Sequence, residues 1–107
     1  TYEKTEIELI VVKRSGNLEE YQFDKLQKGI ESAFGGQDIT EKQLKQLVEN
    51  IHTEIKEHGK KVDSKFIGEK VLKHLKEVNE VAYLRYASVY KEFSDASDFE
   101  KEVAEFN

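Results

Sequence analysis

The sequence predicts a small α+β domain in which a β-hairpin, extended by a third short strand, packs against a bundle of about five helices. Three observations lead there. A β-branched run ending at Val12 breaks at Ser15-Gly16-Asn17 and resumes as a second short run from Leu18. Five later stretches space their apolar residues at the three- and four-residue intervals of a helix. Glycines, or Ser, Thr and Asn residues able to cap a helix, punctuate those stretches.

In chain order, Glu6 to Val12 reads as the first strand and Leu18 to Tyr21 as its hairpin partner. Two strands alone are marginal in water, so the pair must lean on helices. The first helix runs from Asp24 to Phe34, buries Leu26, Ile30, Ala33 and Phe34, and stops at Gly35-Gly36. Thr40 and Gln43 form a capping box that opens a long helix to about Glu57, with Leu44, Leu47, Val48, Ile51 and Ile55 inside. Gly59 ends it, and Lys60-Lys61-Val62 supplies the third strand. Ser64 is expected to cap a helix burying Ile67, Val71, Leu75 and Val78. Asn79 caps a fourth, with Ala82, Tyr86, Val89, Tyr90 and Phe93 on one face. Ser97 and Glu100 form a second capping box for a last helix bearing Phe99, Val103 and Phe106.

At 107 residues the chain is expected to form one domain, spanning residues 1–107, that hides roughly two-thirds of its unfolded surface without a metal or disulfide staple. It has no cysteine, which removes thiolate metal sites and disulfides and fits a cytoplasmic setting. A net charge of -5 argues against a surface that clasps nucleic acid as a whole. No apolar run approaches a membrane span. The first residue is Thr1 rather than Met, which suggests a fragment or a processed chain.

Chemistry concentrates at the hairpin turn. Lys13 and Arg14 end a strand beside Gly16, where a ligand can approach the backbone, and Lys25 sits in the first turn of the next helix. Anions need such a gathering of N–H donors and cations, although a short basic turn is also commonly no more than a solvated loop. Tyr83, Tyr86, Tyr90 and Phe93 can stack on a purine, yet such a stripe is more often core or interface. His52, His58 and His74 lack ligand spacing, and no nucleophilic constellation or Walker phosphate loop is present, so catalysis has no support.

Val11-Val12-Lys13-Arg14-Ser15-Gly16, Phe23-Asp24-Lys25 and the stretch from Glu80 to Phe93 together resemble the ATP-cone domain. More narrowly, they resemble the cone of the NrdR family, bacterial transcriptional repressors of ribonucleotide reductase genes. The resemblance implies a nucleotide sensor rather than an enzyme. ATP or dATP, with magnesium as an optional companion, would act as the regulatory ligand and change how copies of the chain assemble. By carry-over, Val11 would lie against adenine, Lys13 and Arg14 would meet phosphates, and Glu19 and Lys25 would complete the polar wall. Tyr90 would reach the nucleotide from the fourth helix, and Ser64 would orient the base. The resemblance also implies that Thr1 to Lys4 follow a zinc ribbon that carries the operator DNA contacts and the only zinc. Three positions depart from the commonest pattern: Ser15 replaces a frequent Asp, and Gln22 and Asp63 stand where Pro is frequent. The Ser15 change bears on phosphate affinity and magnesium use.

Two other readings stand beside the sensor. The regulatory cone of a ribonucleotide reductase large subunit shares the hairpin residues, but should run on into a catalytic barrel where this sequence ends at Asn107. A nucleotide-free interaction module would instead use Phe99, Val103 and Phe106 as its contact stripe.

Overall fold

A computed structural model describes residues 9–106, the side chain of Phe106 excepted. The expected strand residues before Leu9, the linker at Thr1 to Lys4 and the Phe106 side chain therefore lie outside the described residues. The hairpin consists of β1 (Ile10–Val12) and β2 (Leu18–Glu20), followed by α1 (Phe23–Ala33) and α2 (Glu41–His58). Then come β3 (Lys61–Asp63), α3 (Ser64–Val78), α4 (Glu80–Tyr90) and α5 (Ala96–Phe106). Among the described residues this is the expected α+β architecture, with five helices and a three-stranded sheet.

The sheet order is β2-β1-β3, antiparallel on the hairpin side and parallel on the other. Val11 faces Glu19 across one pair and Val62 across the other, so these three side chains share one face of the sheet. That face is the inner one: Val62 is 2% exposed, and Val11 packs against the core. The turn closes with Gly16 N–H donating to the Lys13 carbonyl, and Gly16 takes a left-handed φ of 94° that favours glycine.

The first two helices follow the sequence expectation. Leu26, Ile30, Ala33 and Phe34 are buried on α1, and Leu47, Val48, Ile51 and Ile55 on α2. Thr40 and Gln43 make the full reciprocal capping box. The later helices bring corrections. Asp63, not Ser64, occupies the N-cap of α3, because β3 runs one residue further and the helix starts at Ser64 itself. Val78 is half exposed, and Gly68 and Leu72 share the inner face with Val71 and Leu75. On α4, Asn79 caps as expected by accepting from the Ala82 N–H, but Val89 is 79% exposed and the buried residues are Ala82, Tyr83 and Ala87. The second capping box does not form. Helix α5 starts at Ala96, and the Asp95 carboxylate accepts from the N–H groups of Ser97 and Asp98.

A buried polar cluster ties α5 to α4. Glu102, only 5% exposed, accepts from the Tyr83 hydroxyl and pairs with Lys91 Nζ at 2.9 Å. Burial pushes the Glu102 carboxyl up, but Tyr83 and Lys91 outweigh it and hold the group below its ordinary value. Burial and the Glu102 charge raise the Tyr83 hydroxyl in turn.

Replacing Glu102 with Ala removes the acceptor shared by these two donors, and should cost about 1–3 kcal/mol in urea unfolding at neutral pH. Because the folded carboxyl titrates below its ordinary 4.5, its contribution is complete above that pH and fades as the pH falls through the lowered value. The gap between wild type and E102A should therefore narrow in acid.

Candidate nucleotide site

Strand register and one helix start assemble the basic residues. β1 carries Val11 and leads into Lys13 and Arg14, β2 returns with Glu19, and α1 presents Lys25 from its first turn. The Glu19 carboxylate sits between two lysines, with Lys13 Nζ at 3.1 Å from one oxygen and Lys25 Nζ at 2.5 Å from the other. The hydrogen bond from Lys25, then that from Lys13, hold the Glu19 carboxyl below its ordinary range. A cation in the first turn of α1 opposes the helix dipole, and the Glu19 carboxylate offsets that opposition.

Arg14 turns away from this pair toward the end of α4. Its guanidinium donates to the Tyr90 carbonyl at 2.6 Å and to Glu92 Oε2 at 3.2 Å, and lies 4.9 Å from the centre of the Tyr90 ring. The Tyr90 ring packs against Gly68 of α3 so closely that an added Cβ would clash with the ring carbons, and its hydroxyl donates to the Lys65 carbonyl. Glycine at position 68 is thus a packing requirement.

Two clefts open among these groups. The larger, about 530 Å³, takes in Lys13, Arg14, Ser64, Ile67, Gly68, Tyr86, Tyr90 and Glu92. The smaller, about 190 Å³, takes in Val11, Glu19, Lys25, Leu26, Ile67 and Tyr86. Ile67 and Tyr86 line both, so all seven site residues expected from sequence lie around one two-lobed depression. Ser64 lines it from the first position of α3. From sequence, Ile67 is only a member of an apolar stripe, Tyr86 is one of four aromatics able to stack on a purine, and Gly68 and Glu92 carry no site signal; the tertiary pairing of α3 with α4 is what brings them in. Arg85, also unmarked in sequence, donates to the carbonyls of Ala33 and Gly35 and caps the end of α1.

The donor set suits a polyanion joined to a flat apolar group: Lys13 and Arg14 line the larger lobe and Lys25 the smaller, with aromatic and aliphatic walls beside them. Among the described residues no cluster of three or more metal-ligating side chains occurs, and no helix is long and apolar enough to cross a membrane.

The profile of the ATP cone domain matches residues 9–96. The chain belongs to the ATP-cone family. It is similar to proteins named transcriptional repressor NrdR, at 43% identity over 96 residues to that of Corynebacterium aurimucosum, covering 89% of this chain and 63% of that protein. The NrdR of Persephonella marina is 42% identical over 107 residues, covering 98% of this chain and 70% of the relative. That of Corynebacterium diphtheriae is 40% identical over 104 residues, with 96% and 68% covered. Within the ATP-cone family the chain thus falls in the NrdR line, whose members are named as repressors and not as enzymes. It spans 59–66% of the length of the first three curated relatives it matches.

In this ATP cone, Gly68→Ala should displace the Tyr90 ring. Overpacking of about 1–3 kcal/mol outweighs about 1 kcal/mol of gained helix propensity. Urea titration should show net destabilisation, and the Tyr90 ring resonances should shift; a more stable G68A protein would contradict this packing.

Proposed function

We propose that this ATP cone senses adenine nucleotides for a transcriptional repressor. The observation that carries the reading is the convergence of Lys13, Arg14 and Lys25 on a depression walled by Ile67, Tyr86 and Tyr90, in a chain of the ATP-cone family. ATP or dATP is the ligand proposed, its phosphates meeting Lys13 and Arg14 and its base lying against Val11, with Ser64 orienting the base and Tyr90 contacting the nucleotide from α4. Glu19 holds Lys13 and Lys25 at a fixed separation, so that the cationic wall is formed before the ligand arrives. Magnesium, where it accompanies the triphosphate, would neutralise part of its charge. The Asp common at the turn is Ser15 here, so the turn offers that ion a hydroxyl in place of a carboxylate.

In the longer protein, nucleotide identity would set how copies assemble, and assembly would set the grip on operator DNA ahead of ribonucleotide reductase genes. We assign the DNA contacts and any zinc to a ribbon outside the 107 residues, and the setting to the cytoplasm. The reductase-cone alternative shares the site, and the repressor names of the relatives favour the sensor.

Saturating ATP or dATP should raise the melting temperature, on the order of 10–15 °C at a hundredfold excess over Kd. No shift at millimolar concentrations of either nucleotide would sink the reading. Lys13 is half exposed, so Lys13→Ala should alter folding stability by less than about 0.5 kcal/mol while weakening triphosphate binding about 10- to 100-fold. Equal losses in both would mean that Lys13 serves the fold. Light scattering with ATP against dATP should report different assemblies.

A further inference from the structure

Each cation of the depression already has an internal carboxylate, and the two carboxylates are held very differently. Glu19 is 28% exposed and engages two lysines at once. Glu92 is 77% exposed, and among the described residues its carboxylate meets Arg14 alone. Its backbone is also unusual. α4 ends in a closed motif in which Glu92 N–H donates to the Val89 carbonyl and Phe93 N–H to the Ser88 carbonyl. The residue at that corner must be left-handed, and glycine is the usual occupant. Here it is Glu92, with φ 57°, the one non-glycine with positive φ among the described residues. The chain thus places a carboxylate, at a position with a conformational cost, against the arginine proposed to meet phosphates.

We infer that Glu92 is a displaceable internal anion: it occupies Arg14 while the depression is empty, and a phosphate of the incoming ligand takes its place. This rests on the nucleotide reading and adds a competition to it. An exposed carboxylate–guanidinium pair is weak and salt-screened, so a multiply charged phosphate group displaces it readily, whereas the two-lysine grip on Glu19 persists. Glu92 therefore lowers affinity and sets the ligand concentration at which the site fills. The Tyr90 carbonyl and ring keep Arg14 docked on α4 when the carboxylate leaves.

Isothermal titration with ATP on wild type, E92Q and E92G tests this. Glutamine removes the charge and keeps the size; glycine removes the charge and suits the left-handed corner. Both should bind ATP about three- to tenfold more tightly than wild type, and the gain should vanish in an Arg14→Ala background. Equal ATP affinity in all three proteins overturns the competition and leaves nucleotide binding standing, and so does a gain that survives R14A. A gain in E92G alone also overturns it, since backbone relief would then be the cause. Inorganic tripolyphosphate is titrated alongside. If E92Q binds it more tightly than wild type does, while ATP and dATP bind to none of the proteins, the competition holds and the nucleotide reading fails. If no protein binds either anion, both fail.

Discussion

The site depends on a parallel pairing only three residues long, β1 with β3. A hairpin of three-residue strands cannot hold its own orientation in water, yet this one carries Val11, Lys13, Arg14 and Glu19. What fixes it is the register Ile10–Lys61, Val11–Val62 and Val12–Asp63, continued by Ile10 N–H donating to the Lys60 carbonyl. β3 runs directly into α3, so the pairing aims the basic turn at the start of that helix and at the end of α4 packed beside it. Val62, 2% exposed, anchors the arrangement from the core side. A slip of one residue would turn Val11 and Glu19 to the opposite face of the sheet and take both out of the depression. The short strand pair thus outranks any single ion pair at the site.

Legibility from sequence tracked the range of the interactions concerned. The turn glycine, the Thr40–Gln43 box, the Asn79 cap and the apolar faces of α1 and α2 are set within a few residues, and pattern reading found them. The errors cluster where one helix meets several neighbours. α4 packs against α1, α3 and α5, so apolar residues lie around much of its circumference and no single stripe identifies the inner face. Choosing Val89 and missing Ala87 follows from that. Similarly, Ser97 and Glu100 have capping-box spacing, but Asp95 lies two residues earlier and its carboxylate accepts from the N–H groups of Ser97 and Asp98, so the helix starts ahead of Ser97.

The same distinction divides the site. Its cations sit within thirteen residues of one another and were visible as a cluster. The walls come from Ile67, which the sequence presents only as a member of a helical stripe, and from Tyr86, whose stripe could as well be core or interface as a stacking surface. The contact between Arg14 and Glu92 spans 78 positions, and neither residue's neighbours announce the other. A positive φ at a glutamate has no signature in a single sequence either; the helix stop at Lys91–Phe93 lacks the glycine that would mark it.

Charge placement explains how an acidic chain can present an anion site at all. The net charge of -5 repels a triphosphate at a distance, but at physiological salt that repulsion is screened beyond about 8 Å. Inside that range the charged lining is three cations, Lys13, Arg14 and Lys25, against three carboxylates, Glu19, Glu20 and Glu92. The lining is therefore neutral in sum, and removal of Glu92 from Arg14 leaves it cationic. Strength of binding then depends on how many of these short-range contacts an anion makes together, since a lone charge meets cations that already have partners. A chain of phosphates can engage the hairpin turn and the first turn of α1 in one molecule, while its attached apolar group covers the wall of Ile67 and Tyr86. Selectivity arises from that combined reach, and the long-range field of the protein contributes nothing toward it.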